Sequence, residues 1–131
     1  MPDGTFATVL ICMDGRIQRP VSDWVMENFG VDYVDKITEP GADILLTESL
    51  IWQNDKIKSR VLVSVEKHGS RAMAVVGHHD CAGNPVSEEK HRAMIKRSAA
   101  EIQSWNLPIR VVGLWVGESW LPEVVCDSAA E

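Results

Sequence analysis

Hydrophobic positions along this chain fall into two patterns that alternate. Almost continuously apolar runs, which are typical of strands covered on both faces, occupy residues 6–13, 72–77 and 109–116. Residues 33–37, closed by Glu39-Pro40-Gly41, are predicted as a further strand. Apolar residues spaced three or four positions apart, which indicate helices, occupy residues 20–29, 44–52, 55–68 and 87–105. Strands that alternate with helices predict an α/β domain with a mostly parallel sheet and helices on both of its faces.

Residues suited to helix ends support this division. Pro20 stands at the start of the first helix and Gly30 at its end, Gly69 is a natural C-cap, and Ser87 is a natural N-cap. A short last segment, 123–126, is compatible with an edge strand. Because the chain contains no linker composition and no internal repeat, we predict a single domain over residues 1–131.

Charge and hydropathy exclude two classes of partner. Thirteen basic residues against nineteen acidic ones give a net charge of −6, whereas proteins that bind duplex nucleic acid normally carry a basic excess. The apolar runs are shorter than the roughly 18 residues of a membrane span. The first five residues also lack the positive charge of a signal peptide. We therefore expect a cytoplasmic protein that binds neither nucleic acid nor membrane.

Three side chains that bind metals well follow two of the predicted strands. Cys12 ends the first strand, and His78 and Cys81 follow the third. If these strands are neighbours, as in a sheet of four strands in the order 2-1-3-4, the three side chains converge at the carboxyl edge of the sheet. Two thiolates and one imidazole suit a tetrahedral Zn²⁺ and leave its fourth position for water.

A carboxylate and a guanidinium stand close to the first of these cysteines. Asp14 lies two residues from Cys12, on the same side of an extended strand, and Arg16 continues that phase. A charged pair beside a metal affects its chemistry. The carboxylate could orient a water molecule on the metal or, once released by the arginine, occupy the fourth position itself.

At this point the residues resemble the signature of a known family. The pattern Cys12-x-Asp14-x-Arg16, followed a strand, helix and strand later by Gly77-His78-x-x-Cys81, is similar to that of the β-class carbonic anhydrases. The loop at 38–43, Thr-Glu-Pro-Gly-Ala-Asp, stands where that family usually has an Ala-Gly pair. The resemblance covers roughly residues 6 to 116.

The resemblance implies a function and a set of site residues. Zinc would be held by Cys12, His78 and Cys81, and zinc-bound hydroxide would attack CO2 to give bicarbonate. Asp14 and Arg16 would form the catalytic dyad. The resemblance also implies a sheet with an antiparallel edge strand and a homodimer or higher homo-oligomer. This chain would be a compact member without the family's N-terminal helices.

Other functions are compatible with the same residues. Relatives with these ligands hydrolyse carbonyl sulfide or carbon disulfide, and a zinc site closed by Asp14 would suit a non-catalytic binding module. A thiol redox role for Cys12 and Cys81 predicts a reversible disulfide in metal-free protein. A phosphatase loop of the Cys-x5-Arg type is excluded, since residue 18 is Gln18.

Three further residues are interpreted as structural rather than catalytic. His91 lies in a charged helical stretch, where solvent and the helix dipole account for it. Trp115 and Trp120 stand near the end of the fourth strand and are candidates for a dimer surface.

Overall fold

The structure, a computed structural model, describes residues 3–47 and 51–130, with no side-chain description at 51–53. Its strands are β1 Phe6–Ile11, β2 Tyr33–Thr38, β3 Ala72–His78, β4 Arg110–Val116 and β5 Pro122–Asp127. Its α-helices are α1 Gln18–Phe29, α2 Ala42–Leu45, α3 Ile51–Leu62 and α4 Glu88–Gln103. A π-helical turn, Val63–Lys67, extends α3, and a short 3₁₀ turn, Ser128–Ala130, follows β5.

The strands form one sheet in the order β2-β1-β3-β4-β5. The pairs β1–β2, β1–β3 and β3–β4 are parallel, whereas β5 runs antiparallel to β4 at the edge. The predicted α/β class, the strand order 2-1-3-4 and the antiparallel edge strand are therefore confirmed. Because β1 and β3 are parallel neighbours, their carboxyl ends lie side by side.

Two apolar layers cover the faces of the sheet. Alternate residues of the central strands point to opposite faces, so that Leu10 packs in one layer and Val9 in the other. Helix α1 covers one face. Helices α2, α3 and α4 contribute to the layer on the other face, where α3 and its π-helical extension bury Ile57, Val61 and Val65 at the predicted spacing.

Several boundaries differ from the sequence prediction. Strand β1 ends at Ile11 rather than at Met13, because the chain turns towards α1. Helix α2 ends at Leu45, and residues 48–50 of the predicted helix at 44–52 lie outside the described residues.

The prediction of a dimer surface at Trp115 is wrong. Its side chain belongs to the apolar core and is 4% exposed, since it points from β4 into the layer formed with α4. Among the helices that the structure describes, none combines the length and the apolar character needed to cross a membrane.

Candidate metal centre

The three predicted ligands meet at the carboxyl edge of the sheet. Cys12 directly follows β1, His78 is the last residue of β3, and Cys81 lies in the loop after it. All three are buried, with 5%, 1% and 3% of their surfaces exposed, and their ligand atoms lie within 4.8 Å of one another. The adjacency of β1 and β3 thus brings together residues from distant parts of the chain.

The spacing of the two sulfur atoms suits zinc. The Sγ atoms of Cys12 and Cys81 are 3.9 Å apart. Two thiolates on a tetrahedral Zn²⁺, each with a Zn–S bond of about 2.3 Å, would lie about 3.8 Å apart. The donor set therefore fits this ion without rearrangement of the two cysteines.

The imidazole of His78 presents the nitrogen that a metal would need. Its Nδ1 lies 2.7 Å from the carbonyl oxygen of His79, and because a carbonyl only accepts hydrogen bonds, Nδ1 carries the proton. Nε2 is buried and has no hydrogen-bond partner within the described part of the chain. A buried polar atom without a partner is costly, and a metal ion would supply the partner.

Burial affects the protonation of two of the three candidate ligands, His78 and Cys81, in the metal-free chain. Burial is the main cause that lowers the pKa of His78, which favours its neutral, ligating form. Burial, followed by the neighbouring Cys12, raises the pKa of the Cys81 thiol. Since a metal binds the thiolate, uptake of zinc would release a proton from this cysteine.

Asp14 and Arg16 form a close ion pair beside the cysteines. The Arg16 guanidinium spans the carboxylate, with Nη2 2.6 Å from Oδ2 and Nε 3.0 Å from Oδ1. The hydrogen bond from this arginine lowers the pKa of Asp14 to about 2. Arg16 also contacts the Asp80 carboxylate at 3.0 Å and lies over the Trp120 ring, with its central carbon 4.8 Å from the ring centroid.

The local conformation of this pair differs from the prediction of a continuing strand. Residues 14–16 form a turn in which the backbone N–H of Arg16 donates to Asp14 Oδ1, at 2.9 Å. Gln18 fixes the turn, because its side-chain amide donates to the carbonyl oxygens of Cys12 and Asp14. Asp14 therefore owes its position to this turn rather than to strand alternation.

A second polar cluster lies close to the ligands and was not predicted from the sequence. Its centre is Asp43, whose buried carboxylate contacts Asn84 and His91. The interpretation of His91 as a solvated helix residue is wrong, since its side chain is 1% exposed. Charged residues flank His91 on α4, and they led to the prediction of an exposed side chain. The available signal for burial was that His91 lies four positions before the buried Ile95, on the same face of the helix.

Comparison with known proteins agrees with this geometry. A family model described as "Putative carbonic anhydrase" matches residues 2–126. The chain belongs to this carbonic anhydrase family. No curated protein matches the sequence at a significant level.

Two solved structures share the fold of this carbonic anhydrase family member at low sequence identity. A carbonic anhydrase from Glaciozyma antarctica is 16% identical, with a TM-score of 0.62 over 92% of this chain and 81% of its own. A tetrameric β-carbonic anhydrase from Sordaria macrospora, a filamentous ascomycete, is 10% identical, with a TM-score of 0.55 over 93% and 81% of the respective chains.

Proposed function

We propose that this protein catalyses the reversible hydration of CO2 to bicarbonate with a bound zinc ion. The observation that carries the proposal is the buried Nε2 of His78, which lacks a partner among the described residues and belongs to a cluster with two thiols 3.9 Å apart. Cys12, His78 and Cys81 would hold the ion. Zinc held there would act as a Lewis acid and lower the pKa of a water molecule to near 7, so that hydroxide would be available near neutral pH to attack CO2.

Asp14 is the group that we propose to orient the attacking water. With its pKa at about 2, this carboxylate is ionised near neutral pH and accepts hydrogen bonds only. A hydrogen bond from the water to Asp14 would fix the direction of the water's lone pair towards CO2. Arg16 holds both carboxylate oxygens in one orientation. If Arg16 released it, the same carboxylate would compete for the fourth position on the metal and close the site.

We also propose that the protein works as a homodimer or higher homo-oligomer. Large apolar side chains are exposed at both edges of the sheet: Tyr33 on β2 is 53% exposed, and Leu121 and Val124 at β5 are 69% and 47% exposed. The tetrameric state of the Sordaria macrospora relative supports this proposal. Analytical ultracentrifugation at micromolar concentration should give at least a dimer, and a monomer at every concentration would contradict it.

The proposed reaction is tested by stopped-flow CO2 hydration on protein whose zinc content has been measured. We expect turnover that scales with zinc at about one ion per chain and that rises from neutral to mildly alkaline pH. Zinc at this ratio without CO2 turnover at either pH would overturn the assignment. Carbonyl sulfide and carbon disulfide would then be the next substrates to assay.

A matched pair of variants separates metal binding from catalysis. Asp14→Ala should keep zinc and lose about 100-fold or more of the turnover, the usual contribution of a group that directs proton transfer. Asp23→Ala removes an exposed acid of α1 and serves as the control, with turnover expected to match the unmodified protein. Full activity in Asp14→Ala would refute the role given to this carboxylate.

A further inference from the structure

Asp43 is a buried carboxylate that binds two other parts of the fold. Its side chain is 2% exposed. Oδ1 accepts a hydrogen bond from the Asn84 side-chain amide at 3.1 Å, and Oδ2 lies 2.6 Å from Nδ1 of His91. Its main-chain oxygen accepts a further bond from Ser98 at 2.9 Å. Burial of a carboxylate costs free energy, and contacts of this kind offset that cost. A carboxylate kept at such a cost is a candidate for a functional role.

The position of Asp43 places it next to the candidate zinc ligands. A Cβ added to Gly77, the residue before His78, would lie 2.5 Å from Asp43 Oδ2. The carboxylate therefore rests directly against the backbone of β3. The loop between β2 and α2, which leads to Asp43, lies equally close to the loop after Cys81. A Cβ on Gly83 would lie 2.5 Å from the backbone nitrogen of Gly41.

Asn84 connects this carboxylate to Cys81. Its residue surface is 1% exposed, and its backbone N–H donates to the carbonyl oxygen of Cys81 at 3.3 Å. The amide held by Asp43 thus belongs to the same residue that donates its backbone N–H to a proposed ligand.

We propose that Asp43 is a positioning residue for the Cys81 ligand. Through the Asn84 side chain it fixes the turn in which the Asn84 N–H donates to the Cys81 carbonyl oxygen, and so the position of Cys81. His91 fixes the orientation of the carboxylate. The proposal rests on the zinc site of the proposed function. Hydrogen bonds from outside the ligand set orient a ligand and adjust its donor strength, so their loss weakens metal binding.

The test measures zinc affinity rather than activity. Asn84→Ala removes the side-chain link and leaves the backbone N–H in place, and Asp43→Asn keeps the size of the side chain while removing its charge. We expect each variant to bind zinc about 10- to 100-fold more weakly, measured by competition with a chromophoric chelator. The thiolate-to-metal absorption band of the cobalt(II)-loaded protein should shift in both.

Ser98→Ala is the matched control, because it removes a hydrogen bond to the main chain of Asp43 but leaves the carboxylate contacts intact. The zinc affinity of Ser98→Ala should lie within about twofold of that of the unmodified protein. This difference is well below the roughly 10-fold loss expected for the two test variants. Zinc affinity and the cobalt band unchanged in Asn84→Ala and Asp43→Asn would overturn the proposal. An equal loss of affinity in all three variants would also overturn it, since it would reflect general destabilisation.

A second measurement covers the case in which Asn84→Ala does not fold. Hydrogen exchange of the Asn84 amide should be at least about 10-fold faster in the zinc-loaded Asp43→Asn protein than in the zinc-loaded unmodified protein, with the sheet amides as the internal reference. Unchanged exchange would count against the proposal. Absence of CO2 turnover in the zinc-loaded unmodified protein would refute the proposed reaction and leave this inference standing, whereas failure of that protein to bind zinc would refute both.

Discussion

The sulfur atoms of Cys12 and Cys81 lie 3.9 Å apart, although 69 positions of sequence separate the two residues. This proximity depends on one feature of topology, the parallel pairing of β1 with β3. Each cysteine follows the carboxyl end of one of these neighbouring strands, and the imidazole of His78 ends the second strand. The sheet thus positions Cys12 and His78, and the short loop after β3 adds Cys81.

Cys81→Ser should abolish tight zinc binding. A serine hydroxyl is a poor zinc ligand, so the loss should exceed the roughly 100-fold that removal of an outer hydrogen-bond partner causes. Competition with a chelator measures the change. Cys126→Ser, at the half-buried cysteine of β5, is the control and should keep one zinc per chain. Retention of tight binding by Cys81→Ser would contradict the proposed ligand set.

Arg16→Lys should reduce turnover much more than Asp80→Asn does. Lysine cannot reproduce the two-pronged contact of Arg16 with Asp14, so the carboxylate loses its fixed orientation, and we expect a fall of about 10-fold or more. The Asp80 side chain is 74% exposed, and ion pairs of this kind contribute little. Its replacement should change turnover less than about threefold. The reverse ranking in stopped-flow assays would contradict this account of Arg16.

Gly77→Ala should destabilise the fold and also weaken zinc binding. The added Cβ would lie 2.5 Å from the Asp43 carboxylate, and forced insertion of this kind typically costs about 1–3 kcal/mol of the free energy of unfolding. Gly113→Ala is the control, because its Cβ would meet Ile95 and Cys126 instead of Asp43. Both variants should lose stability in urea titrations, whereas only Gly77→Ala should lose zinc affinity. Equal zinc affinity in the two variants would contradict the effect through Asp43.

Asp127→Asn should lower stability in a way that depends on pH. Arg110 contacts both oxygens of Asp127 across β4 and β5, and its hydrogen bond lowers the pKa of that carboxyl below the ordinary 3.8. A group whose folded pKa is lowered stabilises the fold above its unfolded pKa and loses that contribution as pH falls through the folded pKa. Because Arg110 is 41% exposed, we expect only about 0.5–1 kcal/mol.

Urea unfolding at about pH 6, 4 and 3, which lie on both sides of the ordinary Asp pKa of 3.8, measures this effect. The stability difference between Asp127→Asn and the unmodified protein should be largest at the highest pH and shrink as the pH falls below the unfolded pKa. Asp23→Asn provides a control at an exposed acid on α1. A difference that stayed constant over this range would show that the pair contributes no charge-dependent stability.

Much of the fold follows from the sequence because burial imposes a pattern that can be recognised locally. A parallel strand covered on both faces has to be apolar along its length, so the runs at 6–13, 72–77 and 109–116 identified β1, β3 and β4. The order 2-1-3-4 was proposed as an arrangement in which Cys12 would meet the ligands after β3, and the sheet has this order. The single domain over 1–131 stays a prediction.

The sequence by itself determined which side chains stand at the carboxyl ends of the strands, because the ends of apolar runs are visible in it. Only the tertiary structure decided which buried polar groups are partners. Asp43, for example, contacts Asn84 and His91, which follow it by 41 and 48 positions in the sequence. Local periodicity records whether a residue is buried but not what it contacts, and His91 in its charged helix gave even the wrong burial. Asp43 and Asn84 become partners only when the loops after β2 and β3 pack together, with Gly41 against Gly83.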